Sequence, residues 1–221
     1  MALLDIIGPI MVGPSSSHTA GAVRIGQMAR NLLKDKPVKG EILLHGSFAT
    51  TGKGHGTDKA LVAGILGFST DDMRIPNSFS LAEEKGFQFR FAKVNLRDAH
   101  PNTVIIRLEG EKGRKIEVQS SSVGGGSIMV NKIDGIDVNF SGQYPTLIVH
   151  NQDKVGSVAK VTGVLSEKNI NIATMQLYRE KRASYAVMVI EADQEIPDDI
   201  ISELEGQPGI LKVTYVNGIQ E

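Results

Sequence analysis

The span 13–21 is the part of this 221-residue sequence that is richest in groups able to do chemistry. An apolar run precedes it and an amphipathic run follows it, which predicts that a helix begins here. The free N–H groups at a helix start, together with the positive end of the helix dipole, attract anions. We therefore expect an anion-binding turn, built from four hydroxyl groups and an imidazole at Ser15, Ser16, Ser17, Thr19 and His18.

A simpler interpretation is that Ser17 or a neighbouring residue only caps the following helix, since serine is strongly favoured at that position. One cap explains one hydroxyl group and leaves the other hydroxyls and the histidine without a role. We therefore interpret the cap as a component of a functional site.

The composition excludes several classes of function. The formal net charge is -1 and aromatic residues make up 5% of the chain, so we expect no nucleic-acid partner. The sequence has no cysteine, which excludes disulfides, a thiol nucleophile and a thiolate metal site. The apolar run 1–12 lacks a basic region and is too short to span a bilayer, so we expect a strand or buried arm, no membrane segment and a cytoplasmic location.

The elements that must position this turn belong to a first domain with helices against a mainly antiparallel sheet. Apolar spacing predicts helices from Ala22 to about Lys34–Lys36 and over 57–66. A short strand over 41–44 and a glycine-rich loop over 46–56 are predicted between them. Further strands are predicted over 87–94, 103–108, 115–120, 127–132 and 136–140.

A domain boundary is predicted at Ser141–Gly142–Gln143, which gives domains 1–142 and 143–221. The second domain has the predicted order βαββαβ, a ferredoxin-like arrangement. The fold class is therefore α+β, with an N-terminal α/β sandwich-like domain and a C-terminal ferredoxin-like domain. The elements of the second domain are predicted over 144–149, 157–168, 172–177, 185–190, 198–204 and 210–216.

Two motifs in the second domain, Asn151-x-Asp153-x-x-Gly156 and Asn169-Ile170-Asn171-Ile172, resemble those of an ACT domain. ACT domains are small regulatory modules that usually sense amino acids. The resemblance implies effector binding at Asn151, Asp153, Gly156 and Asn171. The exposed edge strand of a ferredoxin-like sheet favours a homodimer contact through this domain. The alternative is that Asp153 and Asn171 are ordinary turn residues.

Four motifs follow one another in the first domain: Gly13–Thr19, His45–Ala60, Asp98-x-His100-Pro101-Asn102-Thr103 and Ser122–Gly126. In this order they resemble the beta chain of the iron–sulfur-dependent L-serine dehydratases of bacteria. Those enzymes convert L-serine to pyruvate and ammonia without pyridoxal phosphate, and the open iron of a 4Fe-4S cluster acts as the Lewis acid.

This sequence departs from the single-chain members of that family because it has none of the cysteines that a cluster requires. In two-chain members the cluster lies on an alpha chain. The resemblance therefore implies that this chain is the beta subunit of a two-chain L-serine dehydratase, with a substrate-binding first domain, and that it is inactive alone. Its expected partners are L-serine and the alpha chain. The 4Fe-4S cluster is expected on the alpha chain, and no metal is expected on this chain.

Elimination of water from serine needs a base for the α-proton, an acid or metal for the hydroxyl group and a seat for the carboxylate. His55, between two glycines, is the candidate base, and His18 the candidate substrate positioner or second proton-transfer group. The alternative for each is a hydrogen-bonded structural histidine. The expected substrate-binding residues are Ser15, Ser16, Ser17, Thr19, Lys53, His100 and Asn102.

Two other functions compete with a catalytic subunit. A non-catalytic module that senses serine and regulates a partner enzyme fits the same residues. A free-standing hydrolase with a serine nucleophile and His18 as base is the weaker alternative, because a Gly-x-Ser-x-Gly turn is missing. Gly124–Gly126 is open to two interpretations, a flexible joint between strands or an anion-binding turn.

Overall fold

The computed structural model describes residues 9–179 and 184–218, and of Lys53 it describes the backbone alone. The contacts divide the chain into two compact units between Gly135 and Ile136. The boundary after Gly142 stays a prediction, and most of the arm predicted over 1–12 lies outside the described residues. None of the helices in the described ranges is long and apolar enough to cross a membrane.

The first unit combines helices with strands of a mixed sheet. A π-helical turn, Ser16–Ala20, leads directly into the first α-helix, and a 3-10 turn, Ile75–Asn77, precedes the fourth. The helices are α1 (Gly21–Leu33), α2 (Gly46–His55), α3 (Thr57–Ile65) and α4 (Ser78–Glu84). The strands are β1 (Pro37–Leu44), β2 (Gln88–Lys93), β3 (Thr103–Gly110), β4 (Lys115–Gly124) and β5 (Ser127–Ile133).

The strand order of this sheet within the first unit is β2-β1-β3-β4-β5, and β6 (Ile136–Phe140) follows β5 along the chain. Strand β1 pairs with β2 in parallel and with β3 antiparallel, and the β3–β4 and β4–β5 pairs are antiparallel. The carboxyl end of β1 therefore lies beside the start of β3. That corner is where α2 begins.

Helices α1 and α3 pack in close contact because both carry glycine at the crossing. A Cβ atom on Gly26 would lie 2.3 Å from the Leu61 carbonyl oxygen, and one on Gly64 would lie 2.0 Å from the Val23 carbonyl oxygen. Arg24 of α1 is buried and donates from Nη1 to the Gly126 carbonyl oxygen at 3.1 Å, which anchors the helix to the β4–β5 turn. The π-helical turn at the start of α1 is thereby fixed to the sheet.

The prediction of a glycine-rich loop over 46–56 is wrong, since residues Gly46–His55 form α2. Gly46 takes the left-handed conformation at φ 55°, and Ser47 N–H donates to the Pro101 carbonyl oxygen at 2.7 Å. A distant residue thus satisfies one of the free donors at the helix start. Tertiary contact of this kind overrides the low helix propensity of glycine.

The second unit has the predicted βαββαβ order after β6. Its strands form an antiparallel sheet of order β10-β7-β9-β8. Both helices pack on one face, over a core that includes Leu147, Leu165 and Met188. The elements are β7 (Thr146–Gln152), α5 (Ser157–Glu167), β8 (Ile172–Arg179), β9 (Tyr185–Ala192), α6 (Asp198–Glu205) and β10 (Ile210–Val216).

Candidate functional site

The serine-rich turn begins a long helix, and Ser15 is its cap. Ser15 has an extended backbone, and its Oγ accepts a hydrogen bond from the His18 backbone N–H at 3.3 Å. The predicted cap at Ser17 or a neighbouring residue is therefore found at Ser15. The turn that follows is π-helical, a distortion that is often found at functional sites.

The His18 side chain contacts two hydroxyl groups that are supplied by α2. Its Nε2 lies 3.1 Å from Ser47 Oγ and 3.2 Å from Thr51 Oγ1. The Thr51 hydroxyl donates to the Ser47 carbonyl oxygen at 2.9 Å, which leaves Thr51 Oγ1 to accept. This pattern favours the tautomer of His18 that carries its proton on Nε2, with Nδ1 facing Ser15 Oγ at 3.5 Å.

The environment of His18 favours its neutral form. Burial lowers the pKa of His18 below its usual value of 6.5, and the positive charge that His55 carries when protonated lowers it further. A neutral imidazole can donate from one nitrogen and accept at the other. His18 is therefore suited to hydrogen-bond a substrate near neutral pH.

His55, at the end of α2, lies beside His18 with its ring exposed to solvent. The two ring centroids are 5.0 Å apart. His55 Nδ1 lies 3.1 Å from the Thr51 carbonyl oxygen. Because a carbonyl can only accept, Nδ1 carries the proton, and the lone pair on Nε2 of the neutral ring has no hydrogen-bond donor among the described side chains. That geometry is what a general base requires.

A third segment, the 94–102 loop between β2 and β3, borders the same corner. Pro101 reaches α2 through its carbonyl oxygen, as described above, and the Asn102 carbonyl oxygen accepts from Ser122 N–H of β4 at 3.0 Å. His100 is exposed, and its Nδ1 accepts from the Asn102 backbone N–H at 3.1 Å. The loop that holds His100 and Asn102 is thus joined directly to the helix that carries His55.

The remaining residues expected to bind substrate occupy different environments. Ser16 and Ser17 are half-buried in the first turn of the π-helix. Thr19 is 1% exposed, and its Oγ1 has no hydrogen-bond partner among the described residues. The side chain of Lys53 lies outside the described part of the chain. Gly124, Gly125 and Gly126 all have positive φ, which a turn between β4 and β5 requires.

No role was predicted for Ser47 and Thr51, the residues of α2 whose hydroxyl groups contact the His18 ring. The signal that could have identified them is their spacing of four residues, which puts side chains on one face of a helix. That signal has a meaning only if 46–56 is helical. The mistaken loop prediction therefore concealed them.

The donor groups of this chain do not fit an iron–sulfur cluster. A 4Fe-4S cluster is held by cysteine thiolates, and the sequence contains no cysteine. Within the described residues, no group of three or more His, Cys, Asp or Glu side chains could hold a metal ion.

The candidate effector residues of the second unit lie at opposite ends of its sheet. Asp153 Oδ2 is 3.4 Å from Arg179 Nη1, at the end of β8, whereas Asn171 immediately precedes the start of β8 and its Nδ2 donates to Asp193. Asn151 is buried, and its Nδ2 donates to the Gln152 carbonyl oxygen at 2.7 Å. Gly156, at φ 87°, precedes α5. A single copy therefore does not bring Asp153 and Asn171 together.

Comparison with known proteins adds an independent observation. The family model "Serine dehydratase beta chain" matches residues 3–86, and the ACT domain model matches residues 145–209. The chain is 43% identical to the probable L-serine dehydratase beta chain of Bacillus subtilis, over 97% of each chain. It is 39% identical to the L-serine dehydratase beta chain of Peptoniphilus asaccharolyticus, over 96% of each.

Among solved structures, the ACT domain of the GTP pyrophosphokinase of Chlorobium tepidum is similar to 33% of this chain and to 95% of its own length, at 21% identity and a TM-score of 0.26. The near-complete overlap with two beta chains, together with both family models, settles the classification. This chain belongs to the family of L-serine dehydratase beta chains and carries a C-terminal ACT domain.

Proposed function

We propose that this chain is the beta subunit of a two-chain enzyme that deaminates L-serine to pyruvate and ammonia. Its alpha chain holds the 4Fe-4S cluster, because the donor set of this chain does not fit one. The observation that carries the proposal is the His18–His55 pair, with ring centroids 5.0 Å apart and an unprotonated Nε2 on His55. Membership in a family of L-serine dehydratase beta chains supports the choice of substrate.

The residues of this chain take three parts in the reaction. Backbone N–H groups at Ser16 and Ser17, in the first turn of the helix, bind the carboxylate of serine, because such groups have no partner within the helix. His18 donates a hydrogen bond to the substrate from Nε2, in place of its contact with Thr51. His55 Nε2 accepts the α-proton.

Removal of the α-proton and departure of the β-hydroxyl group together release water and give 2-aminoacrylate. We assign the departure of the hydroxyl group to the alpha chain. Aminoacrylate rearranges to the imine by moving a proton from nitrogen to carbon, and water then hydrolyses the imine to pyruvate and ammonia.

The test compares this chain alone, the alpha chain alone and the co-purified complex in an anaerobic assay of serine conversion to pyruvate. We expect turnover from the complex only, and no iron–sulfur absorption from this chain alone. Turnover by the alpha chain alone at the rate of the complex would replace the proposal with its alternative, a non-catalytic module that senses serine. Turnover or an iron–sulfur absorption band from this chain alone would overturn the two-chain assignment.

We further propose that the ACT domains of two copies pair through β8 and bind serine between them. The motive is the separation of Asp153 and Asn171 at opposite ends of β8 in one copy. If two β8 strands pair antiparallel about a two-fold axis, the end of one strand lies beside the start of the other. Asp153 of one copy then lies near Asn171 of the second copy. Strand β8 is an edge of the sheet, which leaves its backbone groups open to such pairing.

A further inference from the structure

His45 lies where three parts of the candidate site meet: the end of β1, the start of α2 and the 94–102 loop. It follows the last residue of β1 and precedes Gly46, the first residue of α2. Its backbone N–H donates to the Thr103 carbonyl oxygen at 3.0 Å, which extends the pairing of β1 with β3. Its half-buried ring faces the start of the 94–102 loop.

One nitrogen of this ring has two neighbours that it cannot satisfy together. The Leu96 backbone N–H points at His45 Nδ1 with an N–N distance of 3.2 Å. The Val94 carbonyl oxygen lies 3.4 Å from the same nitrogen. An unprotonated Nδ1 accepts from Leu96, whereas a protonated Nδ1 donates to Val94 and leaves the Leu96 N–H without that acceptor. The shorter contact is the one to Leu96.

The far end of the same loop is joined to α2 at the residue that contacts His18. Pro101 accepts from Ser47 N–H at 2.7 Å, and Ser47 Oγ lies 3.1 Å from His18 Nε2. Gly46 is packed so closely that a Cβ there would lie 2.4 Å from the Pro101 carbonyl oxygen. The loop is therefore attached to the β1–α2 corner by His45 at its beginning and by Pro101 at its end.

We infer that His45 is a positioning residue for the candidate site: in the tautomer with its proton on Nε2, it holds the 94–102 loop through Leu96 so that Pro101 stays on the start of α2. This inference rests on the proposed function, because it gives His45 a part in the same reaction. His45 does not touch the substrate. It acts through the loop and through Ser47.

Two substitutions separate the hydrogen bond from the volume of the ring. His45→Asn places an amide oxygen near the position of Nδ1 and can still accept from Leu96. His45→Leu has a similar bulk and no acceptor. The readouts are kcat and KM for serine in the complex with the alpha chain, and hydrogen exchange of the Leu96 amide in the full chain.

We expect His45→Leu to speed exchange of the Leu96 amide about ten-fold, because that amide loses its acceptor. The same variant should lower kcat about ten-fold or more, since small displacements of catalytic groups are costly, and should change KM less. His45→Asn should keep both values near those of the unsubstituted chain. If His45→Leu does not fold, His45→Gln takes its place as the variant without an acceptor for Leu96. The amide of Gln reaches the position of Nε2 and leaves only a methylene near the position of Nδ1.

Unchanged exchange of the Leu96 amide in the acceptor-free variant would overturn the inference, as would equal losses of kcat in the Asn and Leu variants. Failure of the proposed function has a different signature. In that case substitution of His55 leaves turnover intact, while the exchange measurement at Leu96 still reports whether His45 holds the loop.

Discussion

At the scale of single residues, the candidate site depends on which ring nitrogens of two histidines carry a proton. The Thr51 carbonyl oxygen fixes the proton of His55 on Nδ1, and the Thr51 hydroxyl group favours a proton on Nε2 of His18. One threonine therefore orients both rings, through different atoms. The two histidines are left with complementary abilities, since His55 can accept a proton where His18 can donate a hydrogen bond.

The lowered pKa of His18 predicts a dependence of stability on pH. In the unfolded chain this histidine titrates near 6.5, and in the folded chain it titrates lower, because of burial and the charge of His55. As the pH falls below about 6.5, the unfolded chain takes up the proton first, so the free energy of unfolding decreases. This loss of unfolding free energy is complete once the pH is below the pKa of His18 in the folded chain. It is absent at pH values well above 6.5.

Urea denaturation of the chain at a series of pH values between 8 and about 5 checks this prediction. The variant His18→Gln, which has no titrating group at that position, should lose less stability over the same range. Equal losses in the two proteins would contradict the assigned environment of His18.

At the scale of elements, α2 was predicted wrongly as a loop, and α4 was not predicted. Four glycines over 46–56 are typical of a loop, and the sequence contains no local sign that Pro101, far along the chain, would satisfy the start of a helix. The helices α1 and α3 were predicted from apolar spacing, which depends on neighbouring residues alone. His18 and His55 lie close together because 46–55 is helical. Their proximity therefore could not be predicted without first predicting α2.

The two ends of α2 give a matched pair of substitutions. Gly46→Ala puts a side chain on a left-handed residue and a Cβ 2.4 Å from the Pro101 carbonyl oxygen, so we expect a loss of stability of about 1 kcal/mol or more. Gly54→Ala meets no atom within 4 Å and replaces a helical glycine by a better helix former, so we expect a gain of up to about 1 kcal/mol.

Thermal and urea unfolding of both variants would measure these changes. Loss of stability in the Gly54 variant, or none in the Gly46 variant, would be inconsistent with a helix that begins at Gly46 and continues to His55.

At the scale of the whole molecule, we propose that the chain is one part of a larger assembly. The first unit supplies two histidines and a helix start, and its donor groups do not fit the cluster that the family resemblance implies. The second unit presents β8 as an edge strand, and different candidate effector residues lie at its two ends. Both features are explained if the functional unit contains an alpha chain and a second copy of this chain.

The proposed pairing of ACT domains can be tested at two equally exposed leucines. Leu177 lies on β8 and Leu211 lies on β10, the opposite edge of the same sheet, with exposures of 48% and 49%. Leu177→Asp should abolish association of the full chain in sedimentation experiments, with and without serine, because it introduces a charge into the proposed contact. Leu211→Asp should leave association unchanged. If Leu211→Asp abolishes association and Leu177→Asp does not, the contact lies at β10. If both variants associate like the unsubstituted chain, pairing through β8 is excluded.

The domain boundary after Gly142 stays a prediction at this scale. A polar step at Ser141–Gly142–Gln143 separates two patterns along the sequence, whereas the contacts divide the chain between Gly135 and Ile136. Strand β6 lies between these two positions. Its assignment depends on contacts formed after folding, which alternation along the sequence does not record.

We propose that His55 of this chain performs acid–base chemistry for a site completed by the alpha chain. The most direct test is the kcat for serine of the co-purified complex carrying His55→Ala, measured anaerobically, with thermal unfolding and recovery of the alpha chain as controls for folding and assembly. We predict that kcat falls by about 10²–10⁴ while both controls stay unchanged, because general base catalysis contributes that much. A complex that assembles normally and keeps a near-normal kcat without this imidazole would contradict the claim.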